Sequence, residues 1–360
     1  MRTILELEVV GQAAREGPAL IFIHSSFRTA STYLWSCLRA NPGATAYYEV
    51  FHEALDALSP EAISASTTKS WYSKHPDGAP YFLEYLPLLD GDHRVAGFDP
   101  SFSYERFIPV NGPSGAVSDG EAQYVRGLIA HTEARGRIPV LTDTRSIGRV
   151  AGLKAAAPGL HVLLYRNLFQ QWCSYTEQAN RVGRYFLDRT VHITHLARHD
   201  PILRDIAALF PVAAASEQDL NTFYRFVFLH LYCYAHAASA ADLVLDINRV
   251  AVDAGYRSEI EHTFAGQGLH VDLSQARQSM AFSLLDLSSA TEVREILTIT
   301  GHIVIDSAPS ESGRRFATQV LDDLLVEHER YEFHAKAMRV ALGQAVGASE
   351  TARAEASAIR

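Results

Sequence analysis

The sequence predicts an α/β fold: a parallel sheet flanked by helices, with a helical insertion and a helical C-terminal region. Three observations carry this. Apolar, β-branched runs of strand length alternate with stretches of helix length between Ala19 and Asn180. The connections between them are short, as in repeated strand–helix–strand units. The composition, 48% hydrophobic and 20% charged over 360 residues, is that of a globular protein able to bury an extensive core.

The first element is a strand over Ala19–Ile23. It passes through His24–Thr29, a turn rich in hydroxyls, into a helix over Ala30–Arg39 whose apolar side is Leu34, Cys37 and Leu38. Asn41-Pro42-Gly43 stops that helix, and Ala44–Tyr48 reads as a second strand. Residues 54–118 hold Trp71, Tyr72, Tyr81, Phe82, Tyr85, Phe98, Phe102, Tyr104 and Phe107, interrupted by prolines. Irregular packing over one face of the sheet is the expectation there, with a substrate cleft as the alternative.

A helix follows over 120–135, then a strand over Ile138–Asp143, a helix over Ser146–Ala157, a strand over Leu160–Tyr165 and a helix over Phe169–Asn180. Residues 181–216 are mixed. A long helix over 217–240 is apolar nearly all round and therefore buried. Asp242–Ile247 reads as a last strand and Arg249–Phe264 as a helix. Residues 265–310 look loop-rich with some helix, and Arg314–Ala341 is a long amphipathic helix. A single domain over 1–345 is expected, with its insertion at 181–240, a helical region at 265–345 and a flexible tail at 346–360.

Several classes are excluded by composition. A net charge of −9 argues against general affinity for nucleic acid. No apolar run approaches the roughly 18 residues of a membrane span. The first seventeen residues lack the apolar segment and cleavage pattern of a secretory signal. Cys37, Cys173 and Cys233 are far apart, which suits free thiols in a reducing compartment, so a cytoplasmic location is expected. His192, His195 and His199 can share a helix face but lack a carboxylate at matching spacing, so no metal is expected.

Chemistry gathers at the predicted strand ends, where parallel sheets collect their ligands. A strand running straight into a helix presents unpaired N–H groups and a positive dipole end, suited to an anion. Ser25, Ser26, Thr29, Ser31 and Thr32 add hydroxyls there, and Arg28 adds a planar cationic fork. The stretch is not a Walker A loop: no glycine lies between Gly17 and Gly43, and no Gly-Lys pair occurs. Just past the second strand stand Glu49, His52 and Glu53, an acid/base cluster or else a solvated helix start. Arg145 ends the third strand. Arg166 ends the next, with Ser174 eight residues on in the following helix, placed to converge on one oxyanion unless Arg166 serves only a surface ion pair.

Phe27-Arg28-Thr29-Ala30-Ser31-Thr32-Tyr33-Leu34, taken with Arg166 and Ser174, resembles the sulfotransferases that use 3′-phosphoadenosine 5′-phosphosulfate (PAPS), in the carbohydrate- and tyrosylprotein-type variant with Arg for Lys. Thr142–Arg149 followed by Ala157-Pro158-Gly159 is similar to the connecting region of bacterial members, and the likeness spans roughly residues 18–265. The resemblance implies a P-loop-NTPase-like sheet. It implies that Arg28, Thr29, Ala30, Ser31 and Thr32 hold the 5′-phosphosulfate, with Arg28 also catalytic. Arg166 and Ser174 would hold the 3′-phosphate, leaving 3′-phosphoadenosine 5′-phosphate as product. Glu49 stands where the family places a base for the acceptor hydroxyl, with His52 and Glu53 in reserve and Glu53 also beside the acceptor, a glycan or other small molecule; Arg145, from its strand-end position alone, is expected to contact the transferred group or the acceptor. Two departures are Ala30, where glycine is common, and Asn167-Leu168 in place of Asp-Pro. The rival readings are a P-loop-type phosphotransferase and a nucleotide-binding module without turnover.

Overall fold

The computed structural model describes residues 20–67, 79–91, 93–182, 184–278, 283 and 290–358. Strands β1 (Ile21–His24), β2 (Ala44–Tyr48), β3 (Ile138–Asp143), β4 (Leu160–Tyr165) and β5 (Leu243–Asp246) form one sheet in the order β2-β3-β1-β4-β5. Every pairing is parallel. This is the helix-flanked parallel sheet that the sequence predicts. Its central strand is apolar and wholly buried, as a parallel strand covered on both faces must be.

Alternation along the strands divides the core in two. On β4, Val162 and Leu164 join the cluster built on Trp35, Tyr47 and Tyr124, while Leu163 and Tyr165 join the one built on Trp172, Phe226 and Phe228. Helices Ser31–Arg39, Asp119–Glu133 and Ala254–Ala265 contribute to the first cluster. Helices Leu168–Val182, Leu220–Ala240, Ala290–Asp306 and Glu311–Ala358 contribute to the second. Helix Leu220–Ala240 is buried nearly throughout, which fits its all-round apolar sequence.

Several boundaries differ from expectation, each for a local reason. The first strand is shifted to end at His24, one residue later than the apolar run. The helix after β3 begins at Val150 instead of Ser146, because Arg145–Arg149 are held as a turn with Arg149 N–H donating to Ser146 O at 3.0 Å. The helix expected over 249–264 is two, Ile247–Val252 and Ala254–Ala265. Asp253 adopts an extended backbone between them, and its side chain accepts the Tyr256 N–H. The mixed stretch after 181 contains two helices, Tyr185–Leu196 and Pro201–Leu209, the second capped by Asp200. The stretch expected to be loop-rich with some helix contains the helix Ala290–Asp306, in keeping with that expectation. The last helix continues past Ala341 to Ala358, since the alanine-, glutamate- and arginine-rich tail is made of strong helix formers. In the aromatic middle, Tyr81, Phe82, Tyr85, Phe98, Phe102 and Phe107 are buried around short 3₁₀ turns, as the packing expectation holds. Trp71 and Tyr72 lie outside the described residues. No described helix is long and apolar enough to cross a membrane.

The turn after β3 is pressed against the segment before it. A Cβ on Gly148 would lie 2.3 Å from Phe107 O and 2.5 Å from Ile108 Cδ1. Gly148→Ala is therefore expected to lower stability by about 1–3 kcal/mol in chemical denaturation, through overpacking. Gly127→Ala, on an exposed helical face with nothing within 4 Å, is expected to raise it by about 1 kcal/mol.

Candidate active site

The loop leaving β1 is tied to β3: Ser25 donates its N–H (2.9 Å) and its hydroxyl (2.8 Å) to Asp143 O. Thr29 closes the turn by donating its hydroxyl to Ser26 O at 2.8 Å. Arg28 and Ala30 both take left-handed backbone conformations, φ 63° and 65°. Each costs about 1–2 kcal/mol for a residue with a Cβ, and such strain gathers at functional loops. Ala30 thus stands where a glycine would be unstrained. The helix starting at Ser31 has no side-chain cap and no acidic residue in its first turn, so an anion approaching its amides meets no competing group there.

Beneath the loop lies a row of neutral imidazoles. His230 donates from Nδ1 to Phe226 O and accepts the Ser26 hydroxyl on Nε2, both at 2.7 Å. His161 donates from Nε2 to Ala157 O (2.8 Å) and accepts from His24 Nε2 (2.8 Å), while His24 Nδ1 accepts from Ser146 Oγ (3.1 Å). Burial holds His230 at about 4 and His24 well below its ordinary value.

Arg166, at the end of β4, reaches the loop and donates from Nη1 to Arg28 O at 2.8 Å. Gln171 donates to Phe27 O at 2.7 Å. Arg28 turns toward the same helix, Leu168–Val182, and donates from Nε to Ser174 Oγ at 3.0 Å. Arg28, Arg166 and Ser174, distant in sequence, therefore form one cationic, hydroxyl-bearing cradle. Asn167 fills the role of an aspartate before that helix: its Oδ1 accepts the Phe169 and Gln170 N–H groups at 2.9 and 3.2 Å. Burial, then the charge of Arg28, pulls Arg166 down to about 10.

A second cluster stands across Phe27. Glu49 ends β2 in a left-handed conformation, φ 44°, and is buried. Arg145, with no exposed surface, donates from Nη1 to Glu49 Oε2 and from Nη2 to Glu53 Oε2, both at 2.7 Å. It also donates to Tyr104 Oη at 3.1 Å. The two loops are set facing each other by Asp143, whose Oδ2 accepts Phe51 N–H (2.8 Å) and whose Oδ1 accepts Arg145 N–H (2.6 Å). Burial pushes the Asp143 carboxyl up to about 6, against the pull of Arg145 and Arg149. For Glu53, burial is outweighed by the Arg145 guanidinium, with help from His52 and the Tyr185 hydroxyl, and its carboxyl falls to about 2. His52 Nδ1 accepts the Ala54 N–H at 3.0 Å as the cap of the turn Glu53–Ala57. Its Nε2 lies 3.6 Å from Glu49 Oε2, and burial and the charge of Arg145 lower the ring to about 4.

The two clusters are linked twice. The Arg145 guanidinium lies over the Phe27 ring at 5.1 Å, and the Thr32 and Tyr48 hydroxyls meet at 2.9 Å. A surface groove of about 450 Å³, lined by residues that include Ile108, Val110 and His199, contains no residue of either cluster.

No protein-family model matches the chain, and no curated protein matches it. Among solved structures, the sulfotransferase domain from the Synechococcus PCC 7002 olefin synthase is similar at 12% identity and a TM-score of 0.31, over 75% of this chain and 81% of that one. We draw no inference from a likeness of that size.

Every site residue named from the sequence falls in one of the two clusters or in the loop between them. Sequence reasoning missed the residues that position them. Asp143 was visible only as one of several polar strand ends. Tyr104 and Tyr185, whose hydroxyls meet at 2.7 Å above Glu53, carried no signal beyond aromatic richness. His192 and His199 are separately engaged, the first edge-on to Tyr104 at 6.4 Å and the second with its Nε2 3.0 Å from Pro109 O. Among the described residues no three His, Cys, Asp or Glu side chains gather as metal ligands.

Two predictions follow from this geometry. Ala30→Gly relieves a left-handed alanine at the helix N-cap, so it should leave stability unchanged or raise it by up to about 1 kcal/mol, against the loss of about 1 kcal/mol usual for the same change in a helix interior. Acid should destabilise the fold. In the unfolded chain, histidines take up protons as pH falls through 6.5, whereas His52, His230 and His236 in the fold do so only near 4. Asp143 and Asp246, raised to about 6, act in the opposite sense between 6 and 4, but are fewer. The melting temperature is therefore expected to drop between pH 6.5 and 4, and His230→Gln to flatten that drop.

Proposed function

We propose that the chain is a sulfotransferase that moves the sulfuryl group of PAPS to an acceptor hydroxyl on a glycan or other small molecule. One observation carries this reading: a cradle of two guanidinium groups and several hydroxyls lies beside a buried carboxylate held by its own arginine. The donor set fits a nucleotide with two separate anionic groups. Arg28 and Arg166 repel one another, and a multiply charged ligand relieves that repulsion. The amides of Thr29 to Thr32, with the Ser31 and Thr32 hydroxyls and Ala30 shaping the turn, suit the 5′ side. Arg166 and Ser174 suit the 3′-phosphate, and Arg28, bonded to Ser174, spans the two.

When bound, PAPS supplies an activated sulfuryl group. The residues of the chain supply position and charge. Arg28 neutralises charge on the phosphate side, as donors fixed in advance do most effectively. Glu49 accepts the proton of the acceptor hydroxyl. Among the three acid/base candidates His52 is the weaker base, since its Nδ1 lone pair already accepts the Ala54 N–H and its Nε2 then carries the proton. Arg145 fixes the Glu49 carboxylate by Oε2 and satisfies Glu53, so the base keeps one orientation.

Arg166→Ala and Ser174→Ala are expected to weaken binding of 3′-phosphoadenosine 5′-phosphate by calorimetry far more than that of AMP; equal losses for both nucleotides would contradict the 3′-phosphate role. Glu49→Gln is expected to cut turnover by about 10²–10⁴ while leaving nucleotide affinity close to that of the parent. Retained turnover in that variant would remove Glu49 as the base. Preferential binding of ATP would favour a phosphotransferase instead, and tight bisphosphate binding without transfer to any acceptor a nucleotide-binding module.

A further inference from the structure

The helix Tyr185–Leu196 lays one face against the carboxylate cluster. Tyr185, Arg189 and His192 share that face at i, i+4 and i+7, and all three meet Tyr104. The Arg189 guanidinium lies 4.7 Å from the centre of the Tyr104 ring and 5.1 Å from that of Tyr185. A guanidinium stacked on rings in this way keeps its N–H edge available for an oxyanion.

Among the described residues Arg189 has no hydrogen-bond or ion-pair partner. The neighbouring carboxylate is already taken. Glu53 Oε2 accepts from Arg145 at 2.7 Å and Oε1 from Tyr185 at 2.7 Å, with Ser103 and Tyr104 each at 3.4 Å. Arg189 is nonetheless only partly exposed, and its charge is felt at His52. On the outward side, burial and then the charge of Arg189 push the His192 ring below its ordinary value, and the exposed Glu105 pulls the other way. An arginine braced by two tyrosines, its charge felt at His52 and without a partner among the described residues, is built to receive a charge from outside the chain.

We infer that the acceptor bears an oxyanion, a carboxylate or a phosphate ester, which Arg189 holds against Tyr104 and Tyr185 while the acceptor hydroxyl faces Glu49. This rests on the acceptor side of the proposed site but not on the identity of the nucleotide. It defines the substrate class as hydroxylated acids or phosphorylated alcohols in preference to neutral sugars and phenols.

The test is calorimetric titration of the full chain with inorganic phosphate and with 3-hydroxybutyrate, against sodium chloride at equal ionic strength. It uses the parent, Arg189→Lys, Arg166→Ala and Arg166→Ala/Arg189→Gln proteins. Specific anion binding is expected in the parent and in Arg166→Ala, reduced in Arg189→Lys and weakened about tenfold or more in Arg166→Ala/Arg189→Gln relative to Arg166→Ala, the loss of a charged hydrogen bond. Heat from phosphate alone assigns a phosphorylated acceptor, and from 3-hydroxybutyrate a carboxylate. Binding that is the same in Arg166→Ala and in Arg166→Ala/Arg189→Gln, or that is missing from the parent, overturns the assignment. Anion binding lost only in Arg166→Ala also overturns it, by locating the anion in the loop. A separate titration of the parent with 3′-phosphoadenosine 5′-phosphate reads the nucleotide assignment alone, so the two can fail independently.

Discussion

A fully buried guanidinium, that of Arg145, is the constraint on which the site depends. Taking such a charge out of water is costly, and it is tolerated only where paired carboxylates and further hydrogen bonds surround it. Here Glu49, Glu53 and Tyr104 provide them, drawn from the turn after β2 and from the aromatic segment that follows. Arg145 itself comes from the end of β3. The pairing therefore dictates how three stretches of chain meet, and Phe27, under the same guanidinium, brings in the loop after β1. Asp143 makes the arrangement rigid by accepting backbone N–H groups from both turns.

A similar economy governs the neighbouring core. Arg149, also fully buried, pairs with Glu121 at 2.5 Å, donates to Phe102 O and lies over the Phe51 ring at 4.0 Å. Helix Asp119–Glu133, the turn after β3 and the segment after β2 are thus fixed to each other by a second ion pair one helical turn away. The left-handed Glu49 is held by Arg145, and the left-handed Arg28 by Arg166 and Ser174, which is where backbone strain is expected to persist.

The sheet was legible because its strands are apolar, β-branched and bounded by turn residues, all local properties; β2, β3 and β4 fall where the sequence puts them. The strand–loop–helix was legible for the same reason, whereas Arg166 and Ser174 were read together through a family resemblance. Ala30 is informative here: in the sequence it stands out only as a departure at a position where glycine is common, and its φ of 65° gives the reason glycine suits that position. Helix boundaries were missed where one side chain decides them, as Asp253 does in splitting a continuous apolar period.

The site's partners were hidden because they are far apart in the chain. Glu49 and Arg145 are 96 residues apart, and Tyr185 and Glu53 132. No periodicity reports a contact of that range, so Arg145 read as a strand-end arginine facing a ligand instead of the support of two carboxylates. The account's central claim is that the loop after β1 and the end of β4 receive a 3′,5′-bisphosphorylated nucleotide. Thermal shift of the parent protein with 3′-phosphoadenosine 5′-phosphate, ATP and AMP at equal concentration tests it most directly. The account predicts a rise in melting temperature that is largest for the bisphosphate and small for AMP; a rise led by ATP, or none with any of the three, would contradict it.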